Sequence, residues 1–117
     1  MQLAQQRYDT AMESLNKAVA LNPANPQAMY QRALVYTATG KLDAARRELM
    51  AVLEHAPHEV HILVQLGRTN KRLGHTAEAG DVLNLALRVA ATDKDANMIK
   101  NMLASLQEGG DDDDGIY

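Results

Sequence analysis

Small and apolar residues recur three and four positions apart along this chain: Tyr8, Ala11, Leu15 and Ala18, then Met29, Ala33 and Tyr36, then Ala45, Leu49 and Val52. The pattern returns at Leu63, Leu66, Gly67 and Asn70 and again at Ala79, Leu83 and Ala86. Such spacing lines up one face of an α-helix, whereas a strand would alternate every second residue. Gly40, Gly74, Pro23 and Pro57 separate the stretches: glycine ends a helix by taking a positive φ, and proline stops one and begins a connection. The pattern predicts helices over about 7–21, 26–39, 42–55, 59–73, 76–90 and 94–107.

The punctuation is itself periodic. Gly40 and Gly74, Pro23 and Pro57, and the series Ala11, Ala45 and Ala79 all recur at a 34-residue interval, which is the period of a helix–turn–helix repeat. One repeat presents Met29, Arg32, Ala33, Tyr36, Gly40, Ala45, Leu49, Val52 and Pro57; the next presents Leu63, Leu66, Gly67, Asn70, Gly74, Ala79, Leu83, Ala86 and Ala91. Ala33 or Gly67 on a first helix is expected to face Ala45 or Ala79 on the second, so that two antiparallel helices approach closely. Phased in this way, the residues resemble the tetratricopeptide repeat (TPR) family. Asn70 stands where that family has Tyr, and Ala91 where it has the closing Pro. The resemblance implies an all-α, right-handed superhelical solenoid of antiparallel helix pairs that binds other proteins.

The expected organisation is a partial repeat (second helix only) over 1–24, full repeats over 25–58 and 59–92, a capping helix over 93–107 and a disordered acidic tail over 108–117. A repeat buries its apolar face against its neighbours. A fragment that begins within a repeat is therefore expected to be sticky or frayed along Tyr8–Leu21 and to self-associate there.

Composition narrows the chemistry. The apolar content comes mostly from Ala, Leu, Val and Met with no Trp or Phe, a helix-forming mixture. The lack of cysteine removes disulfides, thiolate metal sites and a cysteine nucleophile. No stretch approaches the roughly 18–20 apolar residues of a membrane span, and no signal-peptide pattern opens the sequence. Asp111–Asp114 account for more than the whole formal charge of −3, leaving a nearly balanced body and little support for nucleic-acid binding. Neither a membrane nor a nucleic acid is an expected partner.

Repeat positions 2, 5, 6, 9, 12 and 13 line the inner, concave side of such a solenoid. They fall on Gln27, Tyr30, Gln31, Leu34, Thr37 and Ala38 in one repeat and on His61, Val64, Gln65, Arg68, Lys71 and Arg72 in the next. Arg68, Lys71 and Arg72 converge on one helix side and suit the carboxylates of a bound segment; a plain solvated face is the competing reading. The acidic tail is itself a candidate for this patch, as a salt-sensitive plug. Arg32 sits in the seam between helices, where an unpaired guanidinium is costly, so it is expected to reach a carboxylate or carbonyl or to extend its head to water. His55, His58 and His61 invite a metal, but Pro57 breaks the helix among them, so no shared ligand face is expected. No nucleophile elbow, phosphate loop or carboxylate pair is present. An enzyme, a cofactor and a metal are all unexpected.

The residues bear on two closer resemblances. The TPR clamp for chaperone tails needs Lys and Asn at positions occupied here by Tyr30 and Leu34, or Val64 and Arg68, so these repeats are not expected to make that clamp. The run Leu66-Gly67-Arg68 through Lys71-Arg72-Leu73-Gly74-His75-Thr76, then Asp93-Lys94-Asp95-Ala96-Asn97-Met98-Ile99-Lys100 and an acidic tail, resembles the C-terminal repeats of the anaphase-promoting complex scaffold subunit that receives coactivator Ile-Arg tails. Asn25-Pro26, Arg32-Ala33 and Glu48-Leu49 fit at similar offsets, while Thr92-Asp93 replaces the Asp-Pro of that family. The resemblance implies a scaffold in a multisubunit ubiquitin ligase of mitotic control, nuclear and cytoplasmic, with other complex subunits and coactivators as partners. The alternative is a generic TPR adaptor outside the cell-cycle machinery.

Overall fold

The computed structural model describes residues 2–23 and 25–107 and contains six helices: α1 (Gln2–Leu21), α2 (Pro26–Ala38), α3 (Leu42–His55), α4 (Val60–Arg72), α5 (Thr76–Val89) and α6 (Asp93–Gln107). The expected tail over 108–117 lies outside the described residues. Five helices begin and end within a residue of the sequence expectation. The exception, α1, starts at Gln2 rather than at about residue 7. Phasing by the repeat put that start too late: residues 2–6 are Gln, Leu, Ala, Gln and Gln, all good helix formers with no breaker among them.

The chain divides between Pro57 and His58 into two compact units, α1–α3 and α4–α6. Within the first, α1 packs on α2 and α2 on α3; within the second, α4 packs on α5 and α5 on α6. Each unit contains the same turn. Gly40 has φ +81° and Gly74 φ +85°. At the first turn the Gly40 amide donates to the Thr37 carbonyl at 3.2 Å and the Lys41 amide to Tyr36 at 2.8 Å; at the second, Gly74 donates to Lys71 at 3.0 Å and His75 to Asn70 at 2.8 Å. These are the paired bonds of a Schellman motif, which satisfy carbonyls a helix end would otherwise leave unpaired and need a left-handed residue to close.

The buried side chains follow the sequence pattern. In the first unit Ala28, Met29 and Ala33 on α2 and Ala45, Leu49 and Val52 on α3 are buried. In the second, Ile62, Leu63, Val64 and Leu66 on α4, Ala79, Leu83 and Ala86 on α5 and Ile99 on α6 are buried. Each leucine so buried contributes about 1.5–3 kcal/mol. The approach of α4 to α5 is very tight. A Cβ placed on Gly67 would lie 2.6 Å from Leu83 Cδ2 and 2.7 Å from its Cγ. The nearest side chain to Gly67 is thus Leu83, one turn beyond the Ala79 that the repeat pattern put opposite it.

The helix starts differ between units. Asn25 caps α2, its Oδ1 accepting from the amides of Gln27 at 3.1 Å and Ala28 at 3.3 Å, with Pro26 following in the first turn. Glu59 stands at the same place before α4 and makes no side-chain cap. Thr92 Oγ1 accepts from the Asp95 amide at 3.1 Å and anchors the start of α6.

Candidate protein-binding site

Arg32 has the partners its position demands. Its Nε donates to Glu48 Oε2 at 2.8 Å, a terminal nitrogen approaches the same oxygen at 2.7 Å, and the other donates to Asn16 Oδ1 at 3.0 Å. One side chain of α2 therefore ties α1 and α3 together. With Arg32 20% and Glu48 12% exposed, the pair is shielded enough to matter yet not fully desolvated. It holds α1 and α3 against α2, the helix that carries the first set of candidate binding residues.

That face on α2 reaches solvent along its length. Gln27, Gln31 and Ala38 are exposed, Leu34 is 37% exposed, and Tyr30 and Thr37 are half-buried. Thr37 turns its hydroxyl back onto the Ala33 carbonyl at 3.0 Å, so it offers a methyl rather than a free hydroxyl. The α2 surface is a mixed one, with an aromatic ring, an exposed leucine and two amides.

On α4 the picture is more graded. His61 and Arg72 are exposed, Gln65, Arg68 and Lys71 half-buried, and Val64 is buried at 4% exposure, so Val64 supports the face from beneath. Lys71 Nζ donates to Ser105 Oγ on α6 at 3.1 Å. The three basic side chains are therefore not equivalent: Lys71 is tied to α6, Arg72 stands in solvent, and Arg68 has a buried Nε with no hydrogen-bond partner. With that nitrogen closed to solvent, the terminal nitrogens of the guanidinium are what Arg68 offers a ligand.

The Lys71–Ser105 bond joins residues 34 apart in sequence, equivalent positions of successive repeats. It makes α6 a continuation of the α4 face. Met98, Met102 and Ser105, half-buried on α6, follow Val64, Arg68 and Lys71 at the same interval, and a sequence reading of α6 as a cap alone passes over them. The interval that identified the repeats was the available signal.

The histidines do not assemble. His55 closes α3, His58 lies in the following turn and His61 is in the first turn of α4, all three exposed. Among the described residues no group of three or more His, Cys, Asp or Glu is placed to hold a metal ion. No helix among them is long and apolar enough to cross a membrane.

Comparison with known proteins agrees with this architecture. Two family models, both tetratricopeptide repeats, match residues 2–61 and 60–93. The chain is 27% identical over 111 residues to anaphase-promoting complex subunit 3 of Dictyostelium discoideum, a match that takes in 95% of this chain and 11% of that protein. Among solved structures, the TPR2B domain of yeast Sti1 in its complex with pHsp70 superposes with a TM-score of 0.80 at 14% identity, covering 92% of this chain and 89% of that one. The type III secretion chaperone SycD of Yersinia enterocolitica, in complex with a peptide of the translocator YopD, gives 0.81 at 17% identity, covering 92% and 86%. At such identities the superpositions speak for the fold. With the 34-residue period, the paired glycine turns and a family model spanning half its length, the chain belongs to the tetratricopeptide repeat family.

Proposed function

We propose that this chain is a protein-interaction scaffold that forms part of an anaphase-promoting complex subunit, serving ubiquitin-dependent control of the cell cycle. The observation that carries the reading is the 27% identity to subunit 3 of that complex across nearly the whole chain. Since the chain spans about a tenth of that relative, the assembly-level role belongs to a longer context than the repeats described here. The working surfaces are the α2 residues Gln27, Tyr30, Gln31 and Leu34 and the α4 residues His61, Gln65, Arg68 and Arg72, with Val64 and Lys71 holding the α4 face in shape.

The mode of action is mechanical. Within each unit the packed helices hold their polar and basic side chains in place beforehand, through Arg32–Glu48 in the first and the glycine turn in both, so binding needs little reorganisation. Ligase chemistry would reside in other subunits. The scaffold class finds further support in the fold neighbours, whose solved complexes contain pHsp70 and a peptide of YopD.

Affinity capture from a dividing-cell lysate, read by mass spectrometry beside an Arg68→Ala/Arg72→Ala control, tests the reading. Recovery of anaphase-promoting complex subunits, reduced in the control, is the expected result. Recovery of chaperones or unrelated proteins alone would replace it with a generic TPR adaptor.

A further inference from the structure

We propose that the acidic run Asp111–Asp114 of this same chain is a ligand of the basic end of α4, held by Arg68 and Arg72 and displaced when a partner takes the site. The inference deepens the function proposed above and shares its premise that the α4 face binds. Its grounds are geometry, reach and charge.

The geometry comes from the Lys71–Ser105 bond of 3.1 Å, which sets the last turn of α6 beside the last turn of α4. The chain therefore leaves α6 next to the basic cluster. Reach follows from covalent dimensions: α6 ends at Gln107, and Asp111 is four residues further on, a path of up to about 14 Å when extended. Arg68 lies a single helical turn back from Arg72, about 5.4 Å along the axis, well inside that distance. Gly109 and Gly110 stand at the start of the path and have the conformational freedom to reverse the chain toward Arg68.

Charge completes the match. Arg68 is half-buried with its Nε closed to solvent, and Arg72 is exposed; the terminal nitrogens of a guanidinium take carboxylate oxygens in charge-assisted hydrogen bonds. Four adjacent aspartates offer several equivalent ways to make them. Because the ligand is tethered, it acts at an effective concentration on the order of millimolar even if each contact is weak. Contacts of this kind fade as salt screens them, which makes the tail a displaceable occupant. A partner with an acidic segment would have to compete with it, so the tail would set a threshold for binding.

Nitrogen-15 NMR on the full chain tests this without any partner. The readouts are the Nε–Hε resonances of Arg68 and Arg72 and the heteronuclear NOE of the amides of Asp111–Asp114. They are compared in the wild type, in R68Q/R72Q and in D111N/D112N/D113N/D114N, the last of which leaves every helix untouched. The expected result is that the Arg68 resonance moves in the aspartate variant and in about 1 M NaCl, where the Debye length is roughly 3 Å, and that the tail NOE drops in R68Q/R72Q. An Arg68 resonance indifferent to the aspartate variant, or tail amides equally mobile with and without the two arginines, would overturn the proposal. If a synthetic acidic peptide moved the Arg68 resonance while the tail variant did not, the tail would be excluded as occupant and the binding face would stand.

Discussion

Arg32 and Leu66 are the same position of successive repeats, as are Glu48 and Val82, so the positions that form an ion pair between α2 and α3 are apolar on α4 and α5. Both seams close, and both repeats keep the same turn. The charged pair is thus one of two solutions to filling the seam, and the shared geometry comes from the small residues and the turn glycines. The charge balance of the units differs in consequence. In the first, each nitrogen of the Arg32 guanidinium meets Glu48 or Asn16; in the second, Arg68 lies on the candidate binding face with its Nε unpartnered.

The largest effect should come from halving the ion pair. Glu48→Ala leaves Arg32 with Asn16 alone and is expected to cost about 2–3 kcal/mol, less than a fully buried pair because both partners retain some exposure. Transplanting the second seam into the first, with Arg32→Leu and Glu48→Val together, should bring stability back to within about 1 kcal/mol of wild type. Urea denaturation measures both; a double variant as weak as the single would show that the seams are not interchangeable.

Next is the close approach of α4 to α5. Gly67→Ala recreates the Ala33 of the other repeat and improves helix propensity by about 1 kcal/mol, yet its Cβ collides with the fully buried Leu83. A net loss of about 1–2 kcal/mol is expected. The same change made in a Leu83→Ala background should cost nothing, a coupling that a double-mutant cycle reads directly.

The turns should prove alike. Gly40→Ala and Gly74→Ala each meet open space, so the expected cost of about 1 kcal/mol is the left-handed backbone alone, equal at both sites. Unequal costs would mean that the two turns are strained differently. The smallest effects concern caps: Asn25→Ala should lose about 1 kcal/mol, and Glu59→Asn should gain about 0.5 kcal/mol by giving α4 the cap that α2 already has.

Much of this was written in the sequence because it is local or periodic. The glycine turns, five of the six helices to within a residue and the need of Arg32 for a carboxylate follow from backbone rules and the cost of an unpaired buried charge. The identity of its partners does not, since Glu48 and Asn16 meet Arg32 only once three helices are assembled. Leu83 as the closest neighbour of Gly67 was hidden for a similar reason: the pattern gives which residues are small, while helix stagger decides what lies opposite them. On the α4 face, helical spacing marks Val64 and Arg68 alike as inner-side residues, and only packing shows that one is buried and the other half-buried with an unpaired donor. The Lys71–Ser105 bond joins positions at the same 34-residue interval, but only packing shows that the two side chains meet.

The central claim is that one arginine holds the fold and another serves binding. Comparing Arg32→Ala with Arg68→Ala/Arg72→Ala, by thermal unfolding and by capture of anaphase-promoting complex subunits, tests it most directly. The account predicts that Arg32→Ala lowers Tm by about 5–10 °C while folded protein still captures, and that the paired arginine variant keeps its Tm and loses capture. A paired variant that captured as well as wild type, or lost capture only because it unfolded, would contradict it.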